Sequence, residues 1–288
     1  MKTFGLIGKS LFHSFSQQYF TEKFLQEKIN DAEYRLFPLA SIEEVKEFLK
    51  HPTLLGFNVT IPYKSEIIPF LDELDIIAQE IGAVNCVVKQ NNRWIGYNTD
   101  VIGFERMLEL IWRKEKGEKE KGDGGTTAAK YGKEERNGRI SPSNFEGVPE
   151  GRGSLYKNQN TALILGSGGV SKAVRYVLQQ KNIPFQIVSR KKTKETITYN
   201  EITEKLIHHT QLIINTTPLG MLPNIDEMPP IPYTALHSEH ILIDLIYNPE
   251  ETLFLREGKK RGAFVMNGLT MLEGQAEAGW GLFIVLER

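Results

Sequence analysis

The sequence predicts an α/β protein of two domains followed by a C-terminal helix, the first domain built on a mainly parallel sheet. Three observations lead there. Short apolar runs ended by glycine or proline alternate with amphipathic stretches from the start of the chain. Residues 113–160 then break that grammar, being rich in Lys, Glu and Gly and poor in large apolar residues. Beyond them a second apolar run leads into a glycine cluster and a helical stretch, which opens a second α/β domain.

Residues 3–8 read as a strand ended by Gly8. A helix follows from near Ser16, with Phe20, Phe24 and Ile29 roughly on one face. Residues 34–39 are the next strand. Ser41-Ile42-Glu43-Glu44 has the capping-box pattern, and Ile42, Val45, Phe48 and Leu49 supply a buried helical stripe. Residues 54–61 form a third strand, stopped by Pro62 and followed by a helix whose first turn carries Lys64. This repeated β-α-β order implies a mainly parallel sheet. Two further runs, residues 83–90 and 94–100, meet at Asn91-Asn92 as a hairpin, which makes one strand antiparallel. A helix over residues 101–111 completes a first domain of residues 1–112.

Residues 113–160 cannot bury enough surface to offset their ordering entropy and are expected to be a flexible low-complexity insertion. Structure resumes with a strand at residues 161–165, a helix to about Gln180, and strands at residues 185–189, 212–215 and 241–245. Residues 161–264 therefore form the second domain. The last segment, residues 265–288, is mostly helix.

At 288 residues the chain can bury two sizeable cores, and its 40% hydrophobic and 25% charged residues are ordinary for a globular protein. A formal net charge of −1 offers no general attraction for nucleic acid or an anionic membrane. The single cysteine, Cys86, rules out an intrachain disulfide framework, fits a reducing compartment, and lies in an apolar run that suits an inert core thiol. No apolar run approaches the length of a membrane span, and Met1-Lys2-Thr3 leads straight into a strand. A cytoplasmic protein is expected.

Gly166-Ser167-Gly168-Gly169-Val170-Ser171-Lys172-Ala173 directly follows the strand at residues 161–165 and opens a helix. A glycine cluster alone would merely punctuate a turn. In strand–loop–helix context it reads as a Rossmann-type dinucleotide fingerprint. Gly166 permits the tight turn, and Gly168 lets the backbone approach a pyrophosphate. Gly169 and Val170 then offer helix N-terminal N–H groups. Ser171 stands where a third glycine or alanine is usual. The second strand ends in Ser189 and runs into Arg190-Lys191-Lys192-Thr193-Lys194, where NAD-binding sheets carry Asp or Glu. Such a basic run is ordinarily just a solvated loop. At this position Arg190, with Ser189 and Lys191 beside it, suits a 2′-phosphate, and the expected cofactor is NADP.

Two segments each deliver one charged group to an element boundary, Lys64 after the third strand and Asp100 after the hairpin. Taken singly, they read as a solvated helix lysine and a helix N-cap. Brought together by the fold, they would make a lysine–carboxylate pair able to shuttle a proton. Ser14 and Ser16 flank a helix start, where hydroxyls and free N–H groups suit a carboxylate. From spacing alone, Ser16 is better read as an N-cap.

The blocks Asn58-Val59-Thr60-Ile61-Pro62-Tyr63-Lys64, Gly82-Ala83-Val84-Asn85 and Gly96-Tyr97-Asn98-Thr99-Asp100 resemble those of shikimate dehydrogenases. So do His13-Ser14-Phe15-Ser16, Asn215-Thr216-Thr217-Pro218-Leu219-Gly220-Met221, Asp244-Leu245-Ile246-Tyr247-Asn248-Pro249 and Gly268-Leu269-Thr270-Met271-Leu272-Glu273-Gly274-Gln275. They occur in family order and span nearly the whole chain. The resemblance implies a metal-free, NADP-dependent reduction of 3-dehydroshikimate to shikimate by direct hydride transfer, in aromatic amino-acid biosynthesis. It makes Lys64 and Asp100 the proton-transfer pair. Ser14, Ser16 and Thr60 then hold a substrate carboxylate, and Asn85 and Gln275 hold hydroxyls. It sets Tyr247 and Thr216 at the cleft between domains, adds Gly268 to the cofactor side, and returns the last helix to the first domain. His13 is structural on this reading. The family's usual residues differ at Ser10, Gln17, Ser167, Ser189 and Lys191. An NAD-accepting quinate/shikimate dehydrogenase and a catalytically silent dinucleotide-binding regulator are the competing readings. A monomer or homodimer is expected, with the small-molecule substrate as partner.

Overall fold

The computed structural model describes residues 1–11, 14–115 and 161–285, which fall into two units, residues 1–115 with 273–285 and residues 161–272. His13 and the part of the expected insertion beyond Glu115 lie outside the described residues. In the first unit the elements run β1 (Lys2–Gly8), α1 (Phe15–Gln26), β2 (Ala32–Pro38), α2 (Val45–Phe48), β3 (Leu54–Val59), β4 (Glu73–Leu74), α3 (Ile76–Ile81), β5 (Cys86–Gln90), β6 (Arg93–Tyr97) and α4 (Asp100–Glu115). They form one sheet in the order β2-β1-β3-β5-β6-β4. Strand β5 alone runs against its neighbours β3 and β6, and every other pairing is parallel. The reversal is made by Asn91 and Asn92, with φ of 49° and 62°, the left-handed pair that a two-residue hairpin needs.

Three local expectations change. The segment after Pro62 is a run of turns ending in a short 3-10 helix (Ile68–Phe70) rather than an α-helix. It holds one i→i−4 bond, from Ile67 N–H to the Tyr63 carbonyl at 2.9 Å, and Pro69 has no N–H to extend that pattern to Ser65. Helix α1 starts at Phe15, because the Ser14 side chain caps it by accepting from Ser16 N–H at 3.2 Å. Ser16 is therefore inside the helix and not its cap. Helix α4 continues through Glu115, past the expected break at residue 113.

The second unit contains β7 (Thr161–Leu165), α5 (Gly169–Gln180), β8 (Phe185–Val188), β9 (Thr196–Ile197), α6 (Glu204–His208), β10 (Thr210–Asn215), β11 (Ile241–Asp244), α7 (Leu253–Lys260) and β12 (Phe264–Met266), after which α8 (Leu269–Val285) begins. Its sheet is wholly parallel, in the order β12-β11-β10-β7-β8-β9. Counted from β7, this is the doubly wound 3-2-1-4-5-6 arrangement, in which ligands bind where the order reverses. The reversal lies between β7 and β10. The edge strands β9 and β12 have no counterpart among the expected strands, being two and three residues long.

From Glu273 onward α8 belongs to the first unit. Its Trp280 and Phe283 are each 1% exposed, in a cluster with Phe4, Phe20 and Phe24. Phe283 lies 4.9 Å from the Phe4 ring and 5.4 Å from that of Phe20. A Cβ at Gly56 of β3 would sit 2.8 Å from the Phe283 ring, so only glycine lets the helix lie this close to the sheet. Truncating a buried Phe or Trp typically costs about 3–5 kcal/mol. That contribution outweighs the intrinsic helix propensity of so glycine-rich a segment.

Candidate functional site

Lys64 and Asp100 meet. The Lys64 Nζ donates to Asp100 Oδ2 at 2.7 Å, with side chains 13% and 3% exposed. Both are far less solvated than an ordinary helix lysine and N-cap. Removing two charges from water costs several kcal/mol per ion, and such a pair persists only when the remaining lone pairs are served. Here Asn85 serves them. Its amide nitrogen stands 2.9 Å from Asp100 Oδ1, 3.0 Å from Thr99 Oγ1 and 2.9 Å from Gln275 Oε1, while its oxygen accepts from Thr99 N–H at 2.7 Å. Asn98 donates to the Ala83 carbonyl at 2.8 Å and so ties β6 to the turn before Asn85. Four expected residues, from the Pro62 turn, the strand β5 entrance, the α4 start and α8, thus form one polar cluster, with Asn85 and Asp100 buried and Lys64 and Gln275 half-buried.

Thr60 lies just past β3, its N–H bonded to the Ile7 carbonyl at 2.9 Å. A Cβ on Gly8 would come within 2.5 Å of the Thr60 methyl, so the ends of β1 and β3 are in close contact. Ser14 caps α1, and Ser16 lies in its first turn. Cys86 is fully buried, and burial pushes its thiol up, away from the reactive thiolate.

In the second unit Gly166 has φ +114°, and a Cβ there would meet Thr216 Oγ1 at 2.5 Å. Thr216 itself donates to the Leu165 carbonyl at 2.8 Å, closing the gap between β7 and β10. Gly168 caps α5, and a Cβ on it would meet no protein atom within 4 Å. Packing thus explains Gly166 but not Gly168. Gly169 and Val170 open α5, and the Ser167 and Ser189 hydroxyls lie 3.1 Å apart. Arg190 and Lys191 are exposed and have no carboxylate partner among the described residues, whereas Lys192 pairs with Glu201. Gly268 packs on Leu245, whose carbonyl oxygen would be 2.1 Å from an added Cβ, and Tyr247 is half-buried after β11. Among the described residues no group of three or more His, Cys, Asp or Glu could hold a metal ion, and no helix is long and apolar enough to cross a membrane.

A family model, the shikimate dehydrogenase substrate binding domain, matches residues 6–87. The NADP(+) shikimate dehydrogenase of Methanococcus aeolicus is 35% identical over 94% of this chain and 87% of its own length. This chain belongs to the shikimate dehydrogenase family. Its fold is similar to that of the crystal structure of shikimate dehydrogenase 1 from Peptoclostridium difficile, with a TM-score of 0.73, 31% identity, and coverage of 99% of this chain and 92% of that one. The enzyme of Thermus thermophilus, crystallised with NADP(H) and shikimate, has a TM-score of 0.69, 26% identity, and coverage of 98% and 93%.

Against this shikimate dehydrogenase background, two departures gain a physical sense. Ser167 and Ser189, both unusual for the family, are partners of one another across the β7 and β8 ends. Several polar residues around the first cluster went unassigned in the sequence. The Tyr34 phenol donates to Asn58 Oδ1 at 2.7 Å, and the Asn58 amide donates to the Asn85 carbonyl at 3.3 Å. Tyr19 of α1 donates to Glu277 of α8, which also takes Lys23 at 2.7 Å. Burial, reinforced by Glu277, raises the Tyr19 phenol above its ordinary range. A periodicity reading marks Tyr34 as an inward strand residue and gives no sign of its partner.

Proposed function

We propose that this protein is an NADP-dependent shikimate dehydrogenase that interconverts 3-dehydroshikimate and shikimate in the cytoplasm. The observation that carries the reading is the half-buried Lys64–Asp100 pair, 2.7 Å apart and braced by Asn85, in a chain of this family. The second unit fits the dinucleotide. Gly168 is bare where packing does not require it, α5 presents its N-terminal N–H groups beside it, and Arg190 and Lys191 lack acidic partners among the described residues. Gly166, Ser167, Gly169, Val170, Ser189, Thr216 and Gly268 would complete that site. Bound NADP supplies or accepts the hydride.

Reduction of a ketone builds negative charge on its oxygen, and a proton must arrive there. Lys64 has three N–H groups and spends one on Asp100, so two remain for a substrate oxygen. Asp100 holds the ammonium in direction and can accept from a neighbouring hydroxyl. Asn85 and Gln275 offer amide groups for further hydroxyls, and Ser14, Ser16 and Thr60 offer donors for a carboxylate.

Steady-state kinetics with shikimate and quinate, each with NADP and NAD, test the reading, and turnover is expected to be most efficient with shikimate and NADP. Lys64→Ala should lower kcat by about 10²–10⁴-fold. The KM for NADP should stay within about twofold. Because Asp100 is left buried without its cation, melting must confirm that the variant folds. A folded variant with near wild-type kcat would sink the catalytic assignment. Folded wild-type protein that binds NADP without oxidising shikimate would point to the silent regulator instead.

A further inference from the structure

Asp244 ends β11, and neither the hydride step nor the proton step uses it. It is fully buried and has no basic partner among the described residues. Three donors converge on its carboxyl instead. Oδ1 accepts from the Asn215 amide at 3.0 Å and from Ile246 N–H at 3.1 Å, and Oδ2 accepts from the Thr252 hydroxyl at 2.6 Å. Each donor leads to a different segment. Asn215 ends β10, and its own oxygen takes Thr217 N–H at 3.0 Å and the Thr217 hydroxyl at 2.6 Å, which bends the chain around Thr216. Thr216 in turn reaches the Leu165 carbonyl through its N–H at 2.9 Å and its hydroxyl at 2.8 Å. The Ile246 carbonyl accepts from Gly268 N–H at 3.0 Å, which ties the exit of β12 to that of β11. Thr252 caps α7 by accepting from Leu255 N–H at 3.4 Å, and its hydrogen goes to Asp244. The ends of β7, β10, β11 and β12 are thereby joined at the carboxyl edge of the sheet, where a doubly wound fold takes its ligand. A leucine would fill the Asp244 site without desolvating a charge, whereas an unpaired carboxylate taken from water costs the fold stability. The acid's place is accounted for by what it joins.

Resting on the proposed dehydrogenase reading, we propose that Asp244 is a positioning residue for the dinucleotide. Acting through Asn215 and Ile246, it holds Thr216 beside the Gly166 turn and Gly268 beside Leu245. It thereby shapes the part of the site common to NADP and NAD, and not the part that reads the 2′-phosphate. Three donors aimed at one place call for a group that only accepts, and an ionised carboxylate is that group. Stability lost to the buried acid is then the counterpart of its grip on the site, a common trade between folding and function. Binding of either cofactor should depend on Asp244, and the chemical step should not.

The test is Asp244→Asn, with binding of NADP and of NAD measured by calorimetry and melting followed beside it. Asparagine keeps an acceptor for Asn215 and Ile246 and turns its amide to Thr252, but two charge-assisted bonds become neutral ones of about half the strength. The dissociation constants for NADP and NAD should each rise about fivefold, the size of one net hydrogen bond in a binding constant. The KM for shikimate, and kcat at saturating NADP, should change less than about twofold. Melting should not fall, because a buried charge has been removed. Asp244→Ala should weaken both dinucleotides at least about tenfold. Altered melting with unchanged dissociation constants would overturn the proposal and leave Asp244 a structural residue. A loss for NADP alone would overturn it too, by placing Asp244 on the 2′-phosphate side. Should Asp244→Ala fail to fold, Asn215→Ala cuts the line to Thr216 and carries the same equal loss. Wild-type protein that binds neither dinucleotide overturns the functional reading and this inference with it. Wild type that binds NADP beside an indistinguishable Asp244→Asn overturns this inference alone.

Discussion

Asp244, at the end of β11, is fully buried and accepts from Asn215, Ile246 N–H and Thr252, yet has no basic partner among the described residues. Burial pushes its carboxyl up to about 6, against the pull of those three hydrogen bonds. The fold thus favours the protonated acid. The contribution of Asp244 to stability is fully present below its ordinary pKa of 3.8 and is lost as pH rises through about 6. The loss is on the order of 3 kcal/mol. His240 acts in the opposite sense. Its Nε2 bonds the Ile207 carbonyl at 2.9 Å, its Nδ1 accepts from His237 N–H at 3.0 Å, and burial lowers its pKa below 6.5. Its contribution is present above about 6.5 and is lost as pH falls through the lowered value. Asp244→Asn keeps an acceptor for Asn215 and Ile246 and can donate to Thr252, so it resembles the acid form. Relative to wild type, the melting temperature of this variant should rise between pH 5 and pH 8. A difference that stays constant over that range would show that Asp244 titrates as an ordinary carboxylate.

At the scale of elements, the strand–turn–helix of β7 and α5 separates two kinds of glycine. Gly166→Ala would put a Cβ 2.5 Å from Thr216 at φ +114°, a conformation costing about 1–3 kcal/mol for a side chain. Gly168→Ala meets nothing, at φ −78°. The first substitution should therefore lower the melting temperature without any ligand, and the second should change it little. Both should raise the KM for NADP at least about tenfold. If Gly168→Ala leaves that KM unchanged, the backbone at this turn does not approach the cofactor. Element-level reading succeeded where a residue's own backbone preference decides, as at Asn91-Asn92 and at this glycine turn. It failed after Pro62, where a second proline seven residues later limits the helical bonding, and at β9 and β12. Those edge strands carry too few residues for any period to register, and only their pairing with β8 and β11 defines them.

At the scale of the whole molecule, two apolar clusters of the first unit and one of the second support the two halves of the proposed chemistry. The motif blocks made Lys64, Asp100, Asn85 and Gln275 legible, but the contacts that brace them were not. Tyr19 and Glu277 are 258 residues apart and Asn85 and Gln275 are 190 apart, and both pairs meet only because α8 packs on the first unit's sheet. No local pattern encodes such a meeting. The division into two units has a measurable consequence, because a ligand stabilises what it binds by RT ln(1 + [L]/Kd), about 2.7 kcal/mol at a hundredfold excess over Kd. NADP should therefore slow amide hydrogen exchange chiefly in β7, α5 and β8, and shikimate chiefly around β3, β5 and the start of α4. Arg190→Ala should remove much of the NADP protection while leaving that given by NAD nearly intact, since only NADP carries the 2′-phosphate that a guanidinium can clamp. Equal losses for the two cofactors would show that Arg190 does not read the phosphate. NADP protection confined to β3 and β5 would place the dinucleotide on the wrong unit and sink the assignment of the glycine turn.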